Sequence, residues 1–356
     1  MLWDENYITT ALDAPIQETL PLPTPSVAVN HIVNSQRSVW SKVINLELCD
    51  RSCLSSLMAN INFIRKLLPA GLKKDGKVVN FGAASQFISL PIDIQLDQCS
   101  VILSYKLTPL GSAYDLLMCR QDGCRGLSEQ TVAAIFSRAL LCVEYLHAKD
   151  ILHRELCAKH LLLTEDESND QDLRIILCGL GSIAYFSPPG VNVGRNDLPS
   201  IDYSWRGWNV KDFGTIYGHP IAWKGPEVVA QDFTGYSWPS DIYSLGLILA
   251  ELFNGEPPYA GLHPTVIALK KMSGAEVPAL SKPGSNDAPS QEMLDIYGAC
   301  THPDPNKRPS ATVLLQMPWV QWGLQQQFDR IRLEREKNGC SDSSMANLST
   351  KFEKVL

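Results

Sequence analysis

The sequence predicts an α+β protein of two lobes, a small β-rich one over residues 25–105 and a larger helical one over 106–323. Three observations predict it. Apolar residues alternate with a period of two in several short segments before residue 108, and with a period near 3.6 after residue 127. The segment SDIYSLGLILAELFNG (240–255) is apolar on nearly every face, so a core must surround it. An irregular leader (1–24) and a charged helix with a polar tail (324–356) flank the two lobes.

Each element has its own signal. ETLPLPTPS, with three closely spaced prolines, ends the leader. SVAVNHIV (26–33) and SVWSKVINLEL (38–48) alternate as strands around the polar turn NSQR. Leu54, Leu57, Met58, Ile61, Ile64, Leu67 and Leu68 lie on one stripe of a helix over 53–68. FISLPIDIQL and SVILSYKL (100–107) are the next strands. LSEQTVAAIFSRALLCVEYLHAKD (127–150) opens on a capping residue, Ser128, and keeps helical periodicity for about twenty residues. LRIILCGLGS (173–182) is a short β segment ending in glycines, and 183–222 reads as a long loop. Helices follow at 240–255, 264–273, 290–300 and 310–317.

Composition narrows the function classes. The 356 residues carry a formal net charge of −7, which argues against nucleic acid or an anionic membrane as the main partner. MLWDENYITT has no basic stretch followed by an apolar run, so it does not read as a signal peptide. The expected location is the cytoplasm, with the nucleus as a second compartment. Ten cysteines are scattered without a CxxC pair, a pattern of reduced, packed thiols rather than a zinc site or a disulfide framework.

Five segments occur in the order found in protein kinases. YLHAKDILHRE resembles the helix and catalytic loop, LCGLGS the metal-binding segment, and WKGPEVV the end of the activation segment. SDIYSLG resembles the buried helix after it, and PDPNKRPSA the C-terminal arginine motif. More narrowly, LGSAYDLL, HRELCAKHLLL and DIYSLGLILAELFNGEPPY are similar to the matching stretches of the STRAD family of pseudokinase adaptors. The resemblance runs from about residue 26 to 320. It implies a bilobal protein kinase-like fold.

Phosphoryl transfer needs metal ions to neutralise charge, an Asp to orient the acceptor, and a Lys over the phosphates. On the kinase pattern, Glu155 replaces that Asp. It remains a carboxylate, but it is one methylene longer, and a displacement of about 1 Å can cost about 100-fold. Gly179-Leu180-Gly181 replaces D-F-G, so the main metal ligand is gone. His160 replaces the metal-binding Asn, and imidazole suits a hard cation such as magnesium poorly. Lys42, in VWSK, matches the V-A-I-K lysine, but Ile61 stands where its helix glutamate should be. No glycine occurs in residues 1–70, which rules out a G-x-G-x-x-G loop. Lys42, with backbone contacts along Lys106–Thr108, is the remaining candidate for nucleotide binding. The resemblance makes His153, Arg154, Asp241, Glu227 and Arg308 structural: an anchoring pair, a brace for the loop, and a buried ion pair.

The expected function is therefore a catalytically inactive adaptor and allosteric activator of a partner serine/threonine kinase. The resemblance also implies an armadillo-type scaffold as third member. No cofactor is required, and ATP, if bound, would need no magnesium. Two alternatives stand beside this reading: a residual or divergent ATP-dependent serine/threonine kinase, and an ATP-sensing pseudokinase. VKDFGTIYGHPIAWKGPEVV (210–229) matches the family segment without a gap. Its Phe213, Tyr217, Ile221 and Trp223 are expected to meet the partner kinase, while the helix at 53–68 faces the scaffold. The tail ends KFEKVL and lacks the family's Trp-Glu-Phe terminus, which weakens the expected scaffold contact.

Overall fold

A computed structural model describes residues 29–34, 39–49, 54, 57, 61, 63–64, 82–97, 99–108, 110–118, 126–166, 169–180, 183–185, 220–230, 237–274, 277–282 and 288–326. The chain divides into two units, an N-terminal one that runs up to Pro109 and a second over Leu110–Ser344.

The N-terminal unit is built on a four-stranded antiparallel sheet in the order β1-β2-β4-β3. Its strands are β1 (Val29–Asn34), β2 (Val39–Asn45), β3 (Asp93–Asp97) and β4 (Ser100–Lys106). In β2 and β4 the alternation places Ile44 opposite Val101, Lys42 opposite Leu103 and Trp40 opposite Tyr105. Ile44, Val101 and Leu103 form a buried cluster with Leu57, a helical residue, and Ile61 packs against it. Trp40 and Tyr105 stack with ring centroids 4.6 Å apart. FISLPIDIQL is only partly a strand, because a 3-10 turn over Gly82–Gln86 precedes it and β3 begins at Asp93.

The C-terminal unit is helical, with α1 (Ala113–Met118), α2 (Glu129–His147), α3 (Pro226–Val229), α4 (Trp238–Asn254), α5 (Pro264–Met272), α6 (Gln291–Cys300), α7 (Ala311–Leu315) and α8 (Pro318–Gln325). The Ser128 side chain accepts from the Thr131 amide and starts α2. A Ser237/Ser240 capping box starts α4, and Gly255 closes it in the left-handed conformation, φ 78°. Every residue of α4 from Ser240 to Asn254 is buried, as its all-round apolarity requires. Two small antiparallel ladders carry the loops of interest: β5 (Ile151–Leu152) with β8 (Ala184–Tyr185), and β6 (Leu161–Asp166) with β7 (Asn169–Leu177). Sequence periodicity does not single out β6, α1 or α8, which are short or apolar without alternation. The expected charged helix after residue 326 lies outside the described residues.

Candidate functional site

In the C-terminal unit, the loop 153–160 lies between β5 and β6, and residues 178–180 follow β7. Asp241, fully buried in the first turn of α4, sets the loop's start. Its two carboxylate oxygens accept the backbone N–H groups of His153 and Arg154, each at 2.9 Å. The imidazole of His147 lies 3.0 Å from the same carboxylate. Burial works against the charge on Asp241, but the bonds from His147 and the His153 amide outweigh it and hold the carboxyl below its ordinary range. The brace has a conformational purpose, because Arg154 sits at φ 70°, a region that non-glycine residues rarely adopt.

His153 is fully buried and spans the loop. Its Nδ1 accepts the Glu155 amide at 3.3 Å, so its Nε2 is the protonated nitrogen and donates to the Cys178 carbonyl at 2.8 Å. Burial, then the nearby charge of His160, push its pKa down to about 4.

His160 and Gly179 meet directly. The His160 Nδ1 donates to the Glu155 carbonyl at 2.5 Å, and its backbone carbonyl accepts the Cys178 amide at 3.0 Å. A Cβ placed on Gly179, which has φ 75°, would lie 2.6 Å from both Cδ2 and Nε2 of the His160 ring. The ring thus fills the space a side chain at 179 would need. Burial disfavours charge on this imidazole, but Cys157 and Glu155 outweigh it and raise its pKa to about 9. The residues present do not fit magnesium: glycine offers no side-chain oxygen, and the replacement for the second ligand is an imidazole, which suits a hard cation poorly. Among the described residues, no three His, Cys, Asp or Glu side chains come close enough to hold a metal.

Glu227 and Arg308 form a buried bidentate pair, both bonds 2.8 Å. Ser240 also donates to Glu227, and Arg308 donates to the His302 and Pro239 carbonyls. Glu155 is half-buried and shares a small cavity with Cys157, Lys159, His160 and Trp223.

Two expected docking residues are corrected. Ile221 is 1% exposed and Trp223 6% exposed. The Trp223 indole N–H donates to the Glu251 carboxylate at 2.9 Å, so both residues belong to the interior of this unit and offer no surface. Phe213, Tyr217 and Gly181 lie outside the described residues.

The N-terminal unit holds the candidate nucleotide contacts. Lys42 is half-buried on β2, Lys106 is exposed at the end of β4, and Thr108 follows it, half-buried. Ile61, expected to replace the glutamate, packs against the apolar cluster.

Sequence reasoning missed two organising residues. Glu251, buried in α4, accepts the Ala158 amide at 3.0 Å as well as the Trp223 indole, which ties the loop to the segment before α3. Burial raises its pKa to about 7. Its signal was present: it is the one acid inside the apolar run after Asp241. Lys271, buried in α5, donates to the Ala222 and Lys224 carbonyls and lies about 5 Å over the rings of Tyr243 and Tyr259. Nothing in the sequence distinguishes it from a surface lysine.

Comparison with known proteins agrees with this geometry. Residues 84–320 match the model of the protein kinase domain. The chain is similar to STE20-related kinase adapter protein alpha of Bos taurus, 29% identical over 70% of this chain and 56% of that protein. It is similar also to the protein of that name in Homo sapiens, 28% over 70% of this chain and 48% of that protein. A third relative is serine/threonine-protein kinase pakG of Dictyostelium discoideum, 30% identical over 55% of this chain and 14% of that kinase. The chain spans about half the length of the adapter proteins it matches. With a buried loop brace, a Glu–Arg lock and a family match over two thirds of its length, this chain belongs to the protein kinase domain family.

Proposed function

We propose that this chain is a catalytically inactive member of the family that binds a serine/threonine kinase and activates it allosterically. One observation carries the inactive half of the reading: the His160 ring occupies the place beside Gly179 where a metal-binding side chain would have to stand. The adaptor half is supported by similarity to proteins named kinase adapters over 70% of the chain. The physical logic is selection. A loop braced from within the protein by Asp241, Glu251 and His153 presents a fixed surface, and a fixed surface can favour one state of a partner. Phe213 and Tyr217 remain the candidate contacts in the activation segment; Ile221 and Trp223 do not. An armadillo-type scaffold and a cytoplasmic or nuclear location belong to the same reading.

The test has two arms. Transfer of labelled phosphate to generic substrates, with magnesium or manganese, should stay at background for wild type and Glu155→Ala alike. Activity in wild type that disappears in Glu155→Ala would establish the rival reading, a residual kinase using Lys42 and the Glu155 carboxylate. Separately, a kinase that co-purifies with the full chain from native cells should gain activity when the chain is added back. A Phe213→Ala/Tyr217→Ala double variant should lose that co-purification by ~10-fold, about 1.4 kcal/mol. Unchanged recovery would remove the activation segment from the interface.

A further inference from the structure

The contacts of His160 go further than the loss of a metal ligand. Kinase-type metal segments are held in place partly by the ion they bind, because the cation is the largest local charge and joins groups from different loops. Here two loops are joined by the protein's own groups. The His160 Nδ1 donates to the Glu155 carbonyl, and the His160 carbonyl accepts the Cys178 amide. The neighbouring His153 donates to the Cys178 carbonyl, with its ring 5.9 Å from that of His160. The His160 ring itself stands in van der Waals occupation of the missing side chain at Gly179. We infer that His160 is an internal substitute for the metal, a peg that joins loop 153–160 to residues 178–180 and holds both in one arrangement with neither cation nor nucleotide bound.

The inference rests on the inactive reading above and adds a regulatory consequence: the state of this surface is constitutive, not set by ligand. It also makes positions 160 and 179 interdependent. Gly179 is doubly constrained, by its left-handed backbone and by the ring against it. The two constraints can be separated. The backbone strain of Gly179→Ala is the same whatever stands at 160, whereas the clash exists only while the ring is there.

A double-variant cycle in thermal unfolding of the full chain measures this. Gly179→Ala should lower Tm in wild type by ~4 °C or more, and by ~3 °C less in a His160→Ala background. Equal losses in the two backgrounds would overturn the peg. If His160→Ala does not fold, His160→Asn takes its place in the cycle, since it too removes the ring. Hydrogen exchange supplies a second readout. The Cys178 amide should exchange ~10-fold faster in the His160 variant while amides of α4 keep wild-type protection, and equal acceleration of both would reduce His160 to a general stability residue. Finally, magnesium or a chelator should leave wild-type Tm unmoved, and a magnesium-dependent rise would show that a cation displaces the ring. Phosphotransfer is a separate measurement: an inactive chain with additive losses at 160 and 179 keeps the function proposed above and removes only the peg.

Discussion

At the scale of single residues, Glu227 and Arg308 show why position rather than chemistry explains most of the retained kinase letters. Both are almost fully buried, and every polar atom of the pair that is described finds a partner. Removing one member leaves the other charge uncompensated, so Glu227→Ala or Arg308→Ala should cost about 3–5 kcal/mol in urea unfolding. A loss below ~1 kcal/mol would show that water reaches the pair. Glu251 makes a pH-dependent prediction. Its folded pKa, about 7, lies above the ordinary carboxyl value of 4.5 because the charged form is buried. The folded state therefore holds a proton that the unfolded chain has released, and the stability associated with it falls as pH rises from about 4.5 through 7. In Glu251→Gln this fall should vanish, so the stability difference between variant and wild type should shift in favour of the variant from pH 5 to pH 8. A difference independent of pH would mean that Glu251 stays ionised throughout.

Helix α4 carries the argument at the scale of elements. It presents Asp241 to the loop start, Glu251 to the loop end and to Trp223, and Ser244 to the Trp223 carbonyl. One helix thereby fixes three points on two segments, and its rigidity is what makes their geometry reproducible. Its packing against α6 is close: a Cβ on Gly246 would lie 2.7 Å from Thr301 Cγ2 and 2.8 Å from Cys300 Cβ. Gly246→Ala should improve intrinsic helix propensity by about 1 kcal/mol yet destabilise the protein by about 1–3 kcal/mol, since overpacking exceeds the propensity gain. Thermal unfolding gives the sign directly, and a stabilised variant would mean that α6 can move aside.

For the whole molecule, the open question is ligand dependence. The N-terminal unit keeps Lys42 but sets Ile61 where a glutamate would position it, and the Trp40–Tyr105 stack lies two residues along the same strand face. Any nucleotide should accordingly bind weakly, with Lys42 as its charged contact and without a magnesium requirement. Thermal shifts with ATP, with and without chelator, should be small and equal, and Lys42→Ala should abolish whatever shift wild type shows. A large shift that depends on magnesium would contradict this expectation.

Much of this was legible in the sequence, and for definite reasons. Alternation marked β2 and β4, a serine cap and long periodicity marked α2, and all-round apolarity marked α4 as buried, because each signal is local and repeated over many residues. Glycines at 179 and 181 and a histidine at 160 set up the expectation of lost metal ligands, since ligand chemistry depends on residue type alone. The tertiary structure decided what those letters do to one another. That the His160 ring fills the space beside Gly179 depends on two segments converging across β6 and β7, which no spacing encodes. The same holds for Trp223, whose aromatic character suits an interface or a core equally. Only the buried carboxylate of Glu251, two elements away, puts it in the core. The sequence by itself determined the fold class and which kinase letters are replaced, because both follow from residue type and local period; the tertiary structure alone decided which side chains are buried, braced or packed on one another, because those roles are set by neighbours distant in the chain.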